Sequence, residues 1–411
     1  MISVETAQNL VFDQLIATPS ETLPLNRVLG RFLAEAISSP MDLPSFDNSA
    51  MDGYALRAED TALASPENLL SFSLVGTSSA GDPWEGRLHA NQAIRILTGA
   101  RVPSSATGVI KQEDVGLQEG EVIISRPVVS GENIRRQGEE LKKGAAVFPS
   151  HSALSPASIG LLASLGIQEL SVFTSPRVGI LVTGSEITPI HQDLKPGQIY
   201  DSNSFSLMAA LQELNISPSF VTQCPDQRET LLKQVALGFE ESDILLVTGG
   251  VSVGDFDFVR EVGQELGVEE VFWKVRQKPG KPLFFGKKGA GKYLFGLPGN
   301  PASTLVCFYE YVRPALLKTM GSEHPRLPRF YLPLKKDLKN SQSRTHFLRG
   351  QLEETPKGLQ VSVEKQQGSH TMHSFAGSQC LVILPPETEF KAGDPIEVDL
   401  IPSALWNPLG G

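Results

Sequence analysis

VGILVTGSE at 178–186 and DILLVTGGVSVGDFD at 243–257 decide how this chain folds. Each begins with an apolar, β-branched run, VGILV at 178–182 and DILLV at 243–247, and then turns into a glycine-bearing loop. Each therefore reads as a strand end giving way to a loop and a helix. In a parallel α/β sheet such carboxyl ends are where ligands bind. The glycines let backbone approach a phosphate and present N–H donors, while Glu186 and Asp257 supply the oxygens that Mg²⁺ prefers. The pair points to a nucleotide or pyrophosphate handled with a divalent metal.

The same strand, loop, helix rhythm extends over residues 176 to about 320. Apolar runs at 178–182, 219–222, 244–248 and 293–296 predict strands, and the patterns near 203–214, 227–239, 256–266 and 301–318 predict helices, which together make a doubly wound α/β domain. Upstream, Ser3 and the stripe Val4, Ala7, Val11 and Leu15 predict a helix over 3–17. Between 54 and 140, short runs (LSFSLVG, AIRILTG, GVIKQED, EVIISRPV) separated by Gly, Pro and Asn predict an inserted all-β unit. SPASIGLLASLGI at 155–167 predicts a further helix capped by Ser155, and FYLPL, LQVSVE, CLVILP and PIEVDL predict a C-terminal β-barrel or sandwich.

The length of 411 residues suits several domains, roughly three at about 150 residues each. A net charge of −10 argues against nonspecific binding to nucleic acid or an anionic membrane, so an anionic ligand needs a local site. The N-terminus has neither the basic start nor the apolar core of a signal peptide, and the cytoplasm is the expected location. Cys224, Cys307 and Cys380 form no CxxC pair and predict buried reduced thiols. His370 and His373 have no third partner that would suggest zinc.

Other segments carry two readings each. DNSAMDGY at 47–54 supplies turn formers, and it also offers Asp47 and Asp52 as acceptors at a domain junction. ILTGARVP at 96–103 is a strand end with a turn, or a polar ligand contact through Thr98 and Gly99. IRRQGEELKKG at 134–144 is a solvated charge run, or a pair of arginines beside a glycine turn that grips phosphate. In KVRQKPGKPLFFG at 274–286, prolines stiffen a loop bearing Lys274, Lys278 and Lys281, a local anion signal. GLPGNPAS at 296–303 places Asn300 as a cap candidate and Pro301 at the first helical position, where an anion would gain from free N–H groups. Asp201 in IYDSN is either a third metal-proximal acid or a helix cap. Walker A and GxGxxG are both absent from the sequence.

Taken in order, PSFDNSAMDGYALR (44–57), RILTGARVP (95–103), NIRRQGEE (133–140), TGSE (183–186), IYDSN (199–203), GGVSVGDFDF (249–258), KPGKPLFFG (278–286), GLPGNPAS (296–303) and QGSH (367–370) resemble one family. It is the molybdopterin molybdenumtransferases, the MoeA and gephyrin E-domain family of molybdenum-cofactor biosynthesis. The resemblance covers nearly the whole chain.

It implies a cytoplasmic homodimer of four parts: an elongated discontinuous domain (1–53 and 141–175), the inserted β domain (54–140), a molybdopterin-binding α/β domain of the MoaB/MogA type (176–328) and a C-terminal β-barrel (329–411). The implied reaction takes adenylylated molybdopterin and molybdate, inserts molybdenum into the dithiolene and releases AMP with Mg²⁺ assistance. Glu186 and Asp257 match the family's metal-associated acids, and Gly249, Gly250 and Ser252 its phosphate-facing loop. Asp52, Thr98, Lys274, Lys278, Pro298, Pro301 and Ser369 match further functional positions, and Lys281 is expected to help orient molybdate or a phosphate. Glu140 stands where the family usually has Asp. In the implied dimer, Asp52, Thr98 and Glu140 come from the second subunit. Implied partners are the molybdopterin adenylyltransferase and molybdoenzyme-maturation proteins. Two alternative readings are adenylylation of molybdopterin and a gephyrin-like scaffold, the latter disfavoured by the lack of an appended clustering domain.

Overall fold

A computed structural model describes residues 1–250 and 258–402; Ser252 and Asp257 lie outside the described residues. The chain forms two compact units, one from Met1–Glu35, His151–Ile159 and Glu169–Gly411, the other from Ala36–Ser150 and Gly160–Gln168.

The first unit opens with α1 (Val4–Gln14), where Ser3 Oγ accepts from the Thr6 N–H at 3.1 Å and Ala7, Gln8 and Val11 are buried. The helix stops before the expected residue 17. Tyr293 is the reason: its hydroxyl donates to the Gln14 carbonyl at 2.8 Å and accepts from the Ile16 N–H at 2.9 Å, so these groups leave the helical pattern.

Next comes a six-stranded sheet built from β1 (Val178–Thr183), α2 (Asn203–Gln212), β2 (Phe220–Cys224), α3 (Arg228–Glu241), β3 (Ile244–Thr248), α4 (Val259–Glu265), β4 (Glu269–Trp273), β5 (Phe284–Lys287), β6 (Tyr293–Leu297) and α5 (Pro301–Cys307). The strand order is β2-β1-β3-β6-β5-β4. β2, β1, β3 and β6 run parallel, whereas β5 and β4 join antiparallel. Every residue of β1, β3 and β6 is buried, which is why these strands read as continuous apolar runs: both sheet faces are covered. Each Leu, Ile, Val or Phe so buried contributes about 1.5–3 kcal/mol. The antiparallel pair departs from the sequence expectation, because the lysines and prolines of KVRQKPGKPLFFG read as a loop.

The helical stretch expected over 301–318 is three pieces, α5, a π-turn at Phe308–Val312 and a helix at Arg313–Thr319. Pro314 explains the interruption. It has no N–H to give the Glu310 carbonyl four residues earlier, and the Gln8 side chain donates to that carbonyl instead at 3.2 Å.

The C-terminal strands pair in the order Gln277–Lys278, Thr345–Thr355, Cys380–Leu384, Pro395–Leu400, Arg329–Pro333, with Gly358–Val363 also on Thr345–Thr355. A parallel bridge between Leu334, just past Arg329–Pro333, and Val361 of Gly358–Val363 links the last strand of this path back to the branch strand. We propose on that bridge the β-barrel expected from the sequence.

The second unit holds a six-stranded sheet in the order Gly108–Lys111, Gly53–Leu56, Gln92–Ile96, Leu70–Ser78, Glu121–Ile124, Val115–Gln118. Only the Leu70–Ser78 and Gln92–Ile96 pair is parallel. Short ladders at Asn48–Ser49 with Ile134–Arg135 and at Ile37–Ser38 with Ala146–Phe148 adjoin it in sequence. The inserted sheet has apolar clusters of its own, whereas one cluster runs from Ala7 and Val11 of α1 through Ile180 and Phe295 of the α/β sheet to Phe347 and Leu381 of the C-terminal strands. The four-part division expected from the sequence stands as a proposal.

Candidate active site

The carboxyl ends of β1, β3 and β6 open onto one cavity of about 510 Å³. Its lining includes Glu186 after β1, Gly249 and Gly250 after β3, Pro298 and Asn300 between β6 and α5, and Pro301 at the start of α5. Five positions singled out in the sequence therefore meet at one place: Glu186, Gly249, Gly250, Pro298 and Pro301. The turn after β1 is held by a bond from the Gly184 N–H to the Cys224 carbonyl at 3.2 Å. It leads into a short parallel pair, Ile187–Thr188 with Ile199–Tyr200. Glu186 is exposed at the start of that pair, and its own carbonyl accepts from the Ile199 N–H at 3.0 Å.

Asp201 and Asp226 add two carboxylates to the cavity wall. Asp201 resolves toward the cap reading, since its two oxygens accept from the Ser204 N–H at 3.0 Å and the Ser204 hydroxyl at 2.5 Å at the start of α2. Asp226, two residues beyond β2, was passed over in the sequence; its signal was the acid that follows Cys224 and Pro225 at a strand end. Asn203 donates to the Gly299 carbonyl at 2.8 Å, while its Oδ1 and the Thr183 hydroxyl are buried without protein partners.

Asn300 does not cap α5 with its side chain. Its Nδ2 donates to Ser369 Oγ at 3.1 Å, and the Ser369 carbonyl takes the Ala302 N–H at 3.2 Å, so one of the N–H groups expected for an anion is already used. His370, next in sequence, lines the cavity. Beneath this segment the buried Arg349 guanidinium donates to the Gln366 and Gly368 carbonyls, each at 3.0 Å, and to Ser374 Oγ at 3.2 Å. Burial lowers its pKa from the ordinary value, yet it stays a cation and fixes the loop that carries Ser369. Nothing in the local sequence marked Arg349.

The lysines lie on a separate stretch of the first unit. Lys274 sits at φ 69° with its ammonium 3.5 Å from the Trp273 ring centroid, a cation–π contact. Lys278 is exposed on a strand pair opposite His346. Burial, then the charges of Lys278 and Arg344, push the His346 pKa down, so it is neutral at pH 7. Pro279 and Gly280 are buried, so the loop is anchored rather than freely solvated.

In the second unit, Asp52 Oδ1 accepts from the Thr98 N–H at 2.7 Å and the Thr98 hydroxyl at 2.8 Å. These two bonds, backbone first, hold the Asp52 carboxyl below its ordinary range. One arginine of the stretch is already paired: Arg136 donates to Asp47 at 2.6 Å, and Asp47 also accepts from the Gln137 N–H at 2.8 Å, while Arg135 is exposed. Asp47 is thus a structural acceptor, with its pKa lowered chiefly by the Gln137 bond. Glu140 is exposed, and its N–H donates to the Leu43 carbonyl at 3.0 Å.

All three cysteines are buried and free. Burial raises the Cys224 thiol to about 11 and the Cys380 thiol to about 12, so neither is an activated nucleophile.

Residues 2–166 match the MoeA N-terminal region (domain I and II), 179–318 a probable molybdopterin binding domain, and 331–401 the MoeA C-terminal region (domain IV). This chain belongs to the MoeA family of molybdopterin molybdenumtransferases. A molybdopterin molybdenumtransferase of Haemophilus influenzae is 37% identical over 404 residues, covering 97% of this chain and 98% of that protein. One from Synechococcus elongatus is 35% identical over 408 residues, covering 97% and 99%. The crystal structure of a molybdopterin biosynthesis MoeA protein from Pyrococcus horikoshii superposes with a TM-score of 0.83 at 29% identity, covering 98% of this chain and 100% of that one. The MoeA relationship thus runs the length of the chain. Among the described residues no helix is long and apolar enough to cross a membrane.

Proposed function

We propose that this chain transfers molybdenum from molybdate to the dithiolene of adenylylated molybdopterin, with AMP released. The observation that carries the reading is the cavity at the ends of β1, β3 and β6. There the Gly249–Gly250 backbone, the Pro298–Pro301 turn and three carboxylates line one cavity, in a chain that matches its MoeA relatives over nearly their whole length. Glycines at strand ends accommodate phosphate, and Ser202 and Asn300 on the cavity lining are polar residues suited to a pterin or ribose.

Magnesium fits this donor set. Among the described residues no three His, Cys, Asp or Glu side chains converge on a metal position. Mg²⁺, however, is typically held by one or two carboxylates together with substrate phosphates. Glu186 and Asp226 are oxygen donors on the same cavity wall and would hold it, with Asp257 as a further ligand by resemblance. When bound, the ion supplies charge neutralisation for the phosphate group as AMP leaves.

Lys278 and Lys281 receive the molybdate oxyanion in this reading, with Lys274 alongside. The dithiolene sulfurs of the substrate bind molybdenum as oxygens of molybdate leave as water, and a water molecule cleaves the phosphoanhydride to release AMP, so no protein nucleophile is required, in keeping with the raised cysteine thiols. The reading also holds the chain to be a cytoplasmic homodimer in which Asp52, Thr98 and Glu140 serve the site of a second copy. Purified protein mixed with adenylylated molybdopterin, Mg²⁺ and molybdate should yield AMP and molybdenum cofactor in equal amounts. Adenylylation of free molybdopterin from ATP, with neither of those products, would replace this reading with the adenylyltransferase one.

A further inference from the structure

The lysine loop rests on a buried polar clamp. Gln277 is fully buried, and its Oε1 accepts from the hydroxyl of Tyr311, itself buried on the π-turn. The other end of the amide donates to the Gly280 carbonyl at 3.2 Å and faces Cys307 Sγ at 3.6 Å. The Cys307 thiol donates to the same carbonyl at 3.8 Å. A hydroxyl donor on one side and a carbonyl acceptor on the other leave the amide a single orientation.

Gly280 is seated directly on this clamp. It stands at φ 88°, and a Cβ there would lie 2.6 Å from Cys307 Sγ and 2.7 Å from Gln277 Nε2. The two flanking lysines are tied into the same frame. Lys278 is paired in register with His346, and the Lys281 carbonyl accepts from the Val275 N–H at 3.0 Å. An apolar side chain at 277 would fill the same space without needing three polar partners. The buried amide instead fixes where the Gly280 turn lies, and with it the bases of both cations.

We propose that Gln277 is a positioning residue for the oxyanion site. Held between Tyr311 and Gly280, it sets the spacing and direction in which Lys278 and Lys281 meet molybdate. The inference rests on the reading that those lysines receive molybdate, and it adds the buried device that orients them. Gln277 touches no substrate and acts through the turn.

Steady-state kinetics on the full chain, varying molybdate and adenylylated molybdopterin separately, test this. Tyr311→Phe, which loses one buried hydrogen bond, should raise KM for molybdate about tenfold, and Gln277→Met, which loses all the bonds of the amide, at least as much. They should leave kcat within about twofold and KM for adenylylated molybdopterin unchanged. Val235→Ala, in the buried face of α3, serves as the control: it should lower Tm without moving either KM. In a background lacking both cations, Lys278→Ala with Lys281→Ala, Tyr311→Phe should add no further rise. If Tyr311→Phe and Gln277→Met lower Tm but leave the molybdate KM at the wild-type value while Lys278→Ala raises it, the clamp is structural only and the proposal is wrong. If Lys278→Ala itself leaves the molybdate KM unchanged, the lysines do not receive molybdate, and both the reading and this inference fall.

Discussion

Gly249 and Thr183, at the ends of neighbouring parallel strands, approach so closely that no side chain fits between them. A Cβ on Gly249 would stand 2.6 Å from Thr183 Oγ1 and 2.8 Å from the Thr183 carbonyl oxygen, and Gly249 itself has φ 86°. Both facts exclude an L side chain. The close approach also holds the glycine loop against the wall that carries Glu186.

Gly249→Ala should therefore destabilise the fold by about 1–3 kcal/mol, from the strained backbone and the forced shift of Thr183. Urea unfolding measures it. Turnover should fall more than this loss of stability explains, because the shift displaces backbone that lines the cavity. An alanine variant with wild-type stability would show that the loop moves freely away from β1.

Glu186→Gln tests the metal reading. Glu186 is exposed, so the substitution should leave Tm within about 1 °C while changing the charge presented to the cavity. The Mg²⁺ concentration for half-maximal AMP release should rise about tenfold or more, the scale of losing one charged ligand. A variant with an unaltered Mg²⁺ dependence would remove Glu186 from the metal site.

The two strand-end motifs were legible because β1 and β3 are buried on both faces and so wrote themselves as unbroken apolar runs. Glu186, Gly249, Gly250, Pro298 and Pro301 followed from their positions at those strand ends and do line one cavity. Long-range contacts were not legible. Gln8 reaching the carbonyl freed by Pro314, Arg349 under the Ser369 loop and the Gln277 clamp each join residues with no shared local pattern. The arginines at 135–136 were ambiguous for the same reason. Only the fold shows that Arg136 is committed to Asp47, 89 positions away. The β4 and β5 pair was missed because its lysine ends and prolines imitate a loop.

Asp52 and Thr98 form a unit whose worth is measurable by a double-mutant cycle. Asp52→Asn and Thr98→Val each remove part of a pairing in which one oxygen accepts two bonds. If the pair acts in catalysis as one device, the double variant should be no slower than the worse single variant. The depressed Asp52 pKa places its loss of charge below the ordinary value of 3.8. Whatever stability the ionised group contributes is thus present above that value and lost as pH falls through the lower, folded one. The pH–rate profile between about 5 and 8 should accordingly show no inflection removed by Asp52→Asn. Strictly additive effects on kcat would mean that the two residues act separately.

Glu310 gives the stability of the first unit a pH dependence of the opposite sign. It is buried on the π-turn, and its Oε2 accepts from Gln8 Nε2 at 3.2 Å. Burial and the negative charge of Asp399 push its pKa well above 4.5, against the smaller pull of Arg329 and Gln8. Arg329 donates to both Asp399 oxygens, at 2.8 and 2.7 Å, so Asp399 keeps the charge and Glu310 holds the proton. Burial raises the Asp399 pKa as well, which acts in the same direction, while Glu397 adds a further negative charge at the strand edge. The folded chain therefore binds more protons than the unfolded chain above about pH 4.5, and stability falls as pH rises from there toward the folded pKa of Glu310. Glu310→Gln replaces the protonated acid with a neutral group of the same shape that can keep the Gln8 contact. Urea unfolding at several pH values between about 5 and 8 should show the wild type losing stability toward the alkaline end, with a shallower slope in the variant. Equal slopes would mean that Glu310 ionises in the folded state as readily as in the unfolded one, despite its burial beside Asp399.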